Sequence, residues 1–276
     1  MEKPFIVAGI ITYNPDCERI KENIEAILPQ VDQVVLVDNH SKDQKMIREL
    51  EKRYQNVTVI YNPENRGVAA GLNQEFHFAQ QKGADWVLTL DQDTVAFSDL
   101  IQIYLPFMQD SEQVSLTCLR KERDFDEHLP NNGEPFQYVP KCITSGNLVR
   151  VSAWEKVGGF DEKLFIDEVD NDFCYRLRMA GFRILRVNKD GILHELGNGQ
   201  RLWLFGHDFI VSNHNAFRKY YIYRNRTYLL RTNPLARQND SWFKMFKHLV
   251  KLILYEDHKG EKLKACVRGI RDGRKM

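Results

Sequence analysis

The chain has 276 residues, 43% hydrophobic and 28% charged, which suits one large globular domain or two small ones with a substantial core. Lys and Arg number 39 against 38 Asp and Glu, a formal net charge of +1, so no global field draws it to nucleic acid and any bound anion must be met by local groups. Five dispersed cysteines (Cys17, Cys118, Cys142, Cys174, Cys266) form no Cys-x-x-Cys pair, which argues against a disulfide framework or zinc cage and for a reducing compartment.

The opening "MEKPFIVAGIITYNP" carries an acid and strand residues rather than a signal peptide. No segment approaches the roughly 20 apolar residues that span a bilayer, so a cytoplasmic location is expected. "FIVAGIIT" (5–12) reads as a buried strand, and "TYNPD" as the turn after it. Ile20, Ile24, Ile27 and Leu28 then recur at helical spacing. "VVLVD" (34–38) is a second buried strand ending in Asp38-Asn39-His40-Ser41, and a helical stretch over about 43–54 leads to a third, "VTVIY" (57–61). "NPENRG" opens a helix whose Val68, Leu72, Phe76 and Ala79 share a face and which Gly83 is placed to stop.

In "DWVLTLDQDTV" (85–95) a fourth strand runs into two carboxylates one residue apart. Extended backbone points Asp91 and Asp93 to one side and Gln92 to the other. Carboxylates so placed repel unless a cation or a raised pKa relieves them, although an acidic surface turn explains this stretch taken alone. Trp86 reads as core rather than as a substrate platform.

Strands separated by helices at this spacing predict right-handed βαβ units and a mainly parallel sheet, with ligands beyond the carboxyl ends of the strands. Four polar clusters lie at those ends: Thr12-Tyr13-Asn14, Asp38-Asn39, Asn65-Arg66-Gly67 and Asp91-Gln92-Asp93. Their convergence predicts a nucleotide site. Neither G-x-G-x-x-G nor GK[ST] is present, so a diphosphate would be neutralised best by Mg²⁺ or Mn²⁺ on hard oxygen ligands.

Residues 120–140 are polar and proline-rich and read as a mobile or acceptor-facing excursion. From Glu168 onward Val169, Phe173, Leu177 and Ala180 occupy one helical face, with Gly181 as the stop. Asp170 falls in the first turn, where the helix end lowers its pKa while Asp167, Glu168 and Asp172 raise it, and the balance stays open. Helix capping on a solvated surface is the plain reading of this acidic run. "FRILRV" reads as a strand and "NKDG" as a turn. In "SWFKMFKHLVKLILY" (241–255) Trp242, Phe246, Leu249 and Ile253 recur at helical spacing, with Lys244, Lys247 and Lys251 on another side. Such a helix suits either shallow attachment to an anionic membrane surface or packing on the catalytic domain or a second subunit.

In order along the chain stand "TYN", "VDNHS", "NRGVAAGLN", "DQD", "SGN", "GGFDEKLFIDEVDNDFCYR", "AGF" and "HELG". Over roughly residues 5–235 this ordered set resembles the family 2 inverting glycosyltransferases, which have the α/β GT-A fold. The "DQD" form, "LFIDEVDNDFCYR" and "YYIYRNRTYLLR" look most like the bacterial rhamnosyltransferase branch, which transfers rhamnose from dTDP-rhamnose to a growing cell-surface or lipid-linked glycan.

The resemblance implies a nucleotide segment with Thr12, Tyr13, Asn14, Asp38, Arg66, Asn73, Asp91 and Gln92, in which Asp38 accepts a hydrogen bond from the base imide. It implies a metal motif of Asp91 and Asp93 completed by His194 of "HELG", a sugar pocket bordered by Ser145, Gly146 and Asn147, and Asp170 as catalytic base, with Glu168 and Asp167 as rivals. Arg224 or Arg226 could add charge stabilisation to the departing diphosphate. The transferase domain is expected over 1–235, with a nucleotide-binding half (1–100) and an acceptor half (101–235), followed by a helical tail over 236–276. Other deoxyhexose, hexose or galactofuranose donors, and a homo-oligomer, remain open. A sugar nucleotidyltransferase would want a glycine-rich basic loop that "TYNPDCERI" lacks, and the intact acidic and histidine set speaks against an idle glycan-binding domain.

Overall fold

The computed structural model describes residues 3–122, 133–194, 200–204, 207–211 and 213–276. Its first half is β1 (Ile6–Thr12), α1 (Cys17–Ile27), β2 (Gln33–Asp38), α2 (Gln44–Arg53), β3 (Val57–Tyr61), α3 (Gly67–Lys82) and β4 (Trp86–Asp91). These strands are parallel in the order β3-β2-β1-β4. Helices cover both faces, so β1 is apolar throughout rather than alternating. Ile6, Ala8 and Ile10 enter one apolar cluster with α1, and Val7 enters the other with Leu72 and Phe76 of α3. Asp16 caps α1 by accepting from the Arg19 amide, and Gly83 closes α3 in the left-handed conformation at φ 73°.

The second half contributes β5 (Val95–Ala96), α4 (Leu100–Tyr104), β6 (Gln113–Glu122), β7 (Phe136–Tyr138), β8 (Asn147–Arg150), α5 (Val151–Lys156), α6 (Val169–Met179) and β9 (Arg183–His194). It continues the sheet as β4-β8-β6-β9-β5, with β7 also on β9. Here the sheet is mixed: β8 is antiparallel to β4 and β6, while β6 and β9 are parallel. Much of the polar stretch over 120–140 lies outside the described residues.

One expectation is corrected. "NKDG" is no turn: β9 runs unbroken from Arg183 to His194, and the surplus residues are absorbed by register shifts against Cys118, Leu119 and Arg120 of β6. A bulge accommodates turn-forming residues without reversing the chain, and it carries His194 on to the edge where Asp91 ends β4. Trp86 is core, 2% exposed.

β10 (Gln200–Leu204) and β11 (His207–Val211) form a separate hairpin, after which α7 (Ala216–Thr232), α8 (Pro234–Asn239), α9 (Trp242–Tyr255) and α10 (Lys259–Gly273) complete the chain. α10 crosses α7 closely: a Cβ on Gly269 or Gly273 would strike the backbone of Tyr220 or Arg224. Tyr223, Leu230, Met245, Leu252 and Cys266 form the small core of this helical unit.

Candidate active site

The four polar clusters meet at the carboxyl edge of the parallel strands. Thr12 pairs with Asp38 and Ile11 with Asp91 in the sheet register, so the segments after β1, β2 and β4 leave side by side. Side-chain hydrogen bonds then tie them together. The Tyr13 amide donates to Gln92 Oε1 at 2.9 Å, the Asn14 amide to Ser41 Oγ at 2.8 Å, and the Arg66 amide to Asn39 Oδ1 at 2.9 Å.

A cleft of about 820 Å³ opens there, lined among others by Tyr13, Gln92, Asp91, Asp93, Asp170 and His194. Asp93 and Asp170, 77 positions apart in the chain, thus face one space. Asp91 and His194 approach to 3.6 Å between Oδ2 and Nε2. Glu195, Leu196 and Gly197 of "HELG" lie outside the described residues. Among the described residues no three His, Cys, Asp or Glu groups form a ready-made metal cage. Two carboxylates and an imidazole on one cleft wall are nevertheless the donor chemistry a hard divalent cation takes, with remaining positions left to a diphosphate and water. The set fits a cation that arrives with a nucleotide.

The residues beneath this wall hold it in place. Ser145, 1% exposed, accepts from the Asp91 amide at 3.0 Å and donates to Thr94 Oγ1 at 2.7 Å. Gly146, at φ 75°, donates its amide to Thr89 O and accepts from the Tyr104 hydroxyl, while Asn147 accepts from Ser115 Oγ at 2.8 Å. Of this trio Ser145 reaches a cavity, while Asn147 is turned into the sheet. Behind Asp91 lies Glu75 of α3, fully buried against Gly9, with neither carboxylate oxygen hydrogen-bonded. Burial first, and the charge of Asp91 second, push its pKa well above the carboxylate range and favour its neutral form.

Asp170 stands at the start of α6, where the backbone is strained. Phe165, Asp167 and Glu168 all have positive φ, at 62°, 65° and 65°. Positive φ in non-glycine residues persists only where surrounding contacts impose it. The Val68 amide donates to Phe165 O at 2.6 Å, and Asn225, 0% exposed, donates its side-chain amide to the carbonyls of Leu164, Ile166 and Asp167 at 2.8 Å each. Arg218 pairs with Asp167 at 2.5 Å and Arg226 with Glu168 at 2.6 Å. The two rival acids are therefore occupied by arginines, while the Asp170 carboxylate accepts from the Asn171 amide at 2.7 Å. Burial, then the Glu168 charge, raises its pKa to about 7, while the hydrogen bond from the Asn171 amide opposes them. The balance left open by sequence is decided by burial, which overrides the helix end.

Several expected residues sit away from the cleft lining. Asp38, 0% exposed, accepts from Thr12 Oγ1, the Ser41 amide and Gln44 Nε2, so its carboxylate is committed inward. Asn73 bonds Trp154 Nε1, the Phe160 backbone and Glu162, bracing α3 against the loop before α6. The Arg66 guanidinium pairs with Glu162 at 3.5 Å. Arg224 donates to the carbonyls of Lys163 and Leu164 and lies over the Tyr221 ring. Arg224 and Arg226 thus support the strained turn rather than face the cleft. Sequence reading missed Asn225, Arg218 and His214; the last two line the cleft. Burial, with Arg218 adding to it, drops the His214 pKa to about 4, so its ring is neutral at pH 7. Only the polar run "YRNR" in the middle of α7 hinted at Asn225.

A second cavity, of about 350 Å³, adjoins the first. Asp170 lines both, and Arg120, Lys141, Ser145 and Arg186 line the second.

Comparison with known structures identifies the architecture as the GT-A glycosyltransferase fold. S. aureus TarS 1–349 in complex with UDP-GlcNAc aligns with a TM-score of 0.65 at 16% identity, over 97% of this chain and 81% of that one. The mannosyltransferase PcManGT from Pyrobaculum calidifontis, in complex with GDP-Man and Mn²⁺, aligns at 0.58 and 14% identity, over 99% and 88%. Residues 8–186 match Glycosyl transferase family 2, and the chain belongs to that family. It is also 28% identical to the dTDP-rhamnosyl transferase RfbF of Shigella flexneri over 97% of this chain and 95% of that protein.

Proposed function

We propose that this glycosyltransferase is inverting and metal-assisted, moving L-rhamnose from dTDP-rhamnose to a hydroxyl of a growing cell-surface polysaccharide or lipid-linked glycan. The observation that carries the reading is the position of Asp170 between two cavities, one holding Asp91, Asp93 and His194 and the other without them. A single displacement needs the acceptor opposite the leaving group, and a carboxylate shared by both spaces is where the acceptor proton must go. The sequence likeness to RfbF supports rhamnose.

In this reading the nucleotide lies along the ends of β1, β2 and β4, against Tyr13 and Gln92. Asp91, Asp93 and His194 would hold Mg²⁺ or Mn²⁺, which supplies compensation for charge building on the departing diphosphate. Arg218, the α7 cation on the cleft, takes the role expected of Arg224 or Arg226. Asp170 accepts the proton of the attacking hydroxyl, and the strained turn holds its carboxylate in place. No covalent sugar–enzyme intermediate forms, so the product linkage inverts.

A panel of dTDP-, UDP- and GDP-sugars, with nucleoside diphosphate release as the readout, tests the donor. dTDP-rhamnose is expected to give the highest kcat/KM; preference for a UDP-hexose or UDP-galactofuranose overturns the rhamnose assignment while leaving the transferase intact. NMR of the product's anomeric configuration tests inversion.

A further inference from the structure

α9 is amphipathic over more of its circumference than the protein covers. Met245 and Leu252 are buried against α7 and α10 with Leu249 beside them. Yet Trp242, Phe243, Phe246, Val250, Ile253 and Leu254 are 37–64% exposed. They are six of the fourteen large hydrophobic side chains exposed among the described residues, gathered on one helix of 14 residues. At about 100° per residue they fill a continuous arc of about 120° beside the buried one. Lys247, Lys251 and Lys244 occupy the next sector, all exposed, and α9 contains no acid.

We propose that this face of α9 docks on a lipid bilayer bearing anionic headgroups, and that the 236–276 segment is the attachment unit of the enzyme. A broad aromatic and aliphatic arc flanked by a row of lysines matches the boundary where acyl chains meet negative headgroups, with the helix lying in the surface plane. Trp242 at the end of the arc is a side chain suited to that boundary. No helix among the described residues is long and apolar enough to cross a membrane, so the contact is peripheral. A second copy of this chain is a poorer occupant: two-fold pairing of α9 would bring two lysine rows together without an acid on either helix to offset them.

The placement bears on catalysis. Lys244 and His248 of α9 line a small cavity with Lys141 and Asn171, and those two also line the cavity that holds Asp170. Docking would bring the acceptor side of the base near the lipid surface, where a lipid-linked acceptor is displayed. This consequence rests on the transfer reading, but the docking test does not.

The test is co-sedimentation of the full chain with vesicles of phosphatidylcholine and phosphatidylglycerol, against phosphatidylcholine alone, at low and high salt. The protein is expected to partition onto the anionic vesicles about tenfold or more better than onto neutral ones, with binding weakened by salt. Phe243→Ser/Phe246→Ser and Lys247→Glu/Lys251→Glu should each abolish binding while circular dichroism and donor hydrolysis stay unchanged. Absence of binding at low salt overturns the proposal, as does undiminished binding by both double variants. Sedimentation velocity showing a dimer that Phe243→Ser/Phe246→Ser dissociates, without vesicle binding, replaces the bilayer with a second copy.

Discussion

Asp170 combines partial burial, a neighbouring Glu168 and a pKa of about 7. A base must be ionised to accept a proton, so kcat/KM should fall about tenfold per pH unit below pH 7 and level off above about pH 8. Asp170→Asn keeps an acceptor for the Asn171 amide but no base, and should lower kcat by about 10²–10⁴-fold with donor affinity largely preserved. Near wild-type turnover by this variant would remove Asp170 from the mechanism. The same residue has a signature in stability. Its folded pKa lies above that of an unfolded carboxylate, so its favourable contribution is complete below about pH 4 and is lost as pH rises through about 7. At pH 8 the inactive Asp170→Asn protein should be more stable than wild type by ~1–3 kcal/mol, an advantage that shrinks at pH 5, as thermal unfolding at both pH values will show.

Two close approaches between elements are open to test. Gly9 in the middle of β1 leaves room for the Glu75 carboxyl of α3, and a Cβ there would overlap it. Gly9→Ala is expected to cost about 1–3 kcal/mol in denaturant unfolding, because the added methyl must displace the fully buried Glu75 carboxyl. Gly269 and Gly273 let α10 approach the backbone of α7, which through Asn225, Arg218 and Arg226 braces the turn before Asp170. Gly269→Leu should therefore lower both the unfolding midpoint and turnover, the stability loss again about 1–3 kcal/mol. Element existence was legible from periodicity and punctuation: the expected 57–61 strand is β3, and Gly83 ends α3 where it was placed. The "NKDG" segment was not, because the residues that favour a turn also fit a bulge, and only pairing with β6 chooses between them.

At the scale of the molecule, Asp91 and Asp93 of the proposed metal set come from the first half of the chain, while His194 and the proposed base Asp170 come from the second, so the proposed activity depends on the whole sheet remaining intact. Chelation of divalent cations is expected to abolish sugar transfer, and Mn²⁺ or Mg²⁺ to restore it. Calorimetry with a nucleoside diphosphate should show binding about tenfold or more tighter when Mn²⁺ is present; equal binding with chelator would count against the assignment of Asp91, Asp93 and His194. Unfolding midpoints measured beside these assays separate loss of the cation from loss of the fold.

The amino-acid sequence by itself determined the alternation of strands and helices and the carboxyl-edge clusters. Those features follow from periodicity, capping and turn chemistry, which act over a few residues. The sequence did not determine the aim of Asp91 and Asp93: β4 ends at Asp91, residues 92–93 turn, and Gln92 lines the same cleft as both aspartates. Tertiary structure decided which polar groups line the cleft and which brace it. Asn73 meets Phe160 and Arg226 meets Glu168 across 87 and 58 positions, and Asp38 is wrapped by donors from both neighbouring segments. It also raised the pKa of Asp170, because burial depends on everything packed around a group rather than on its neighbours in the chain.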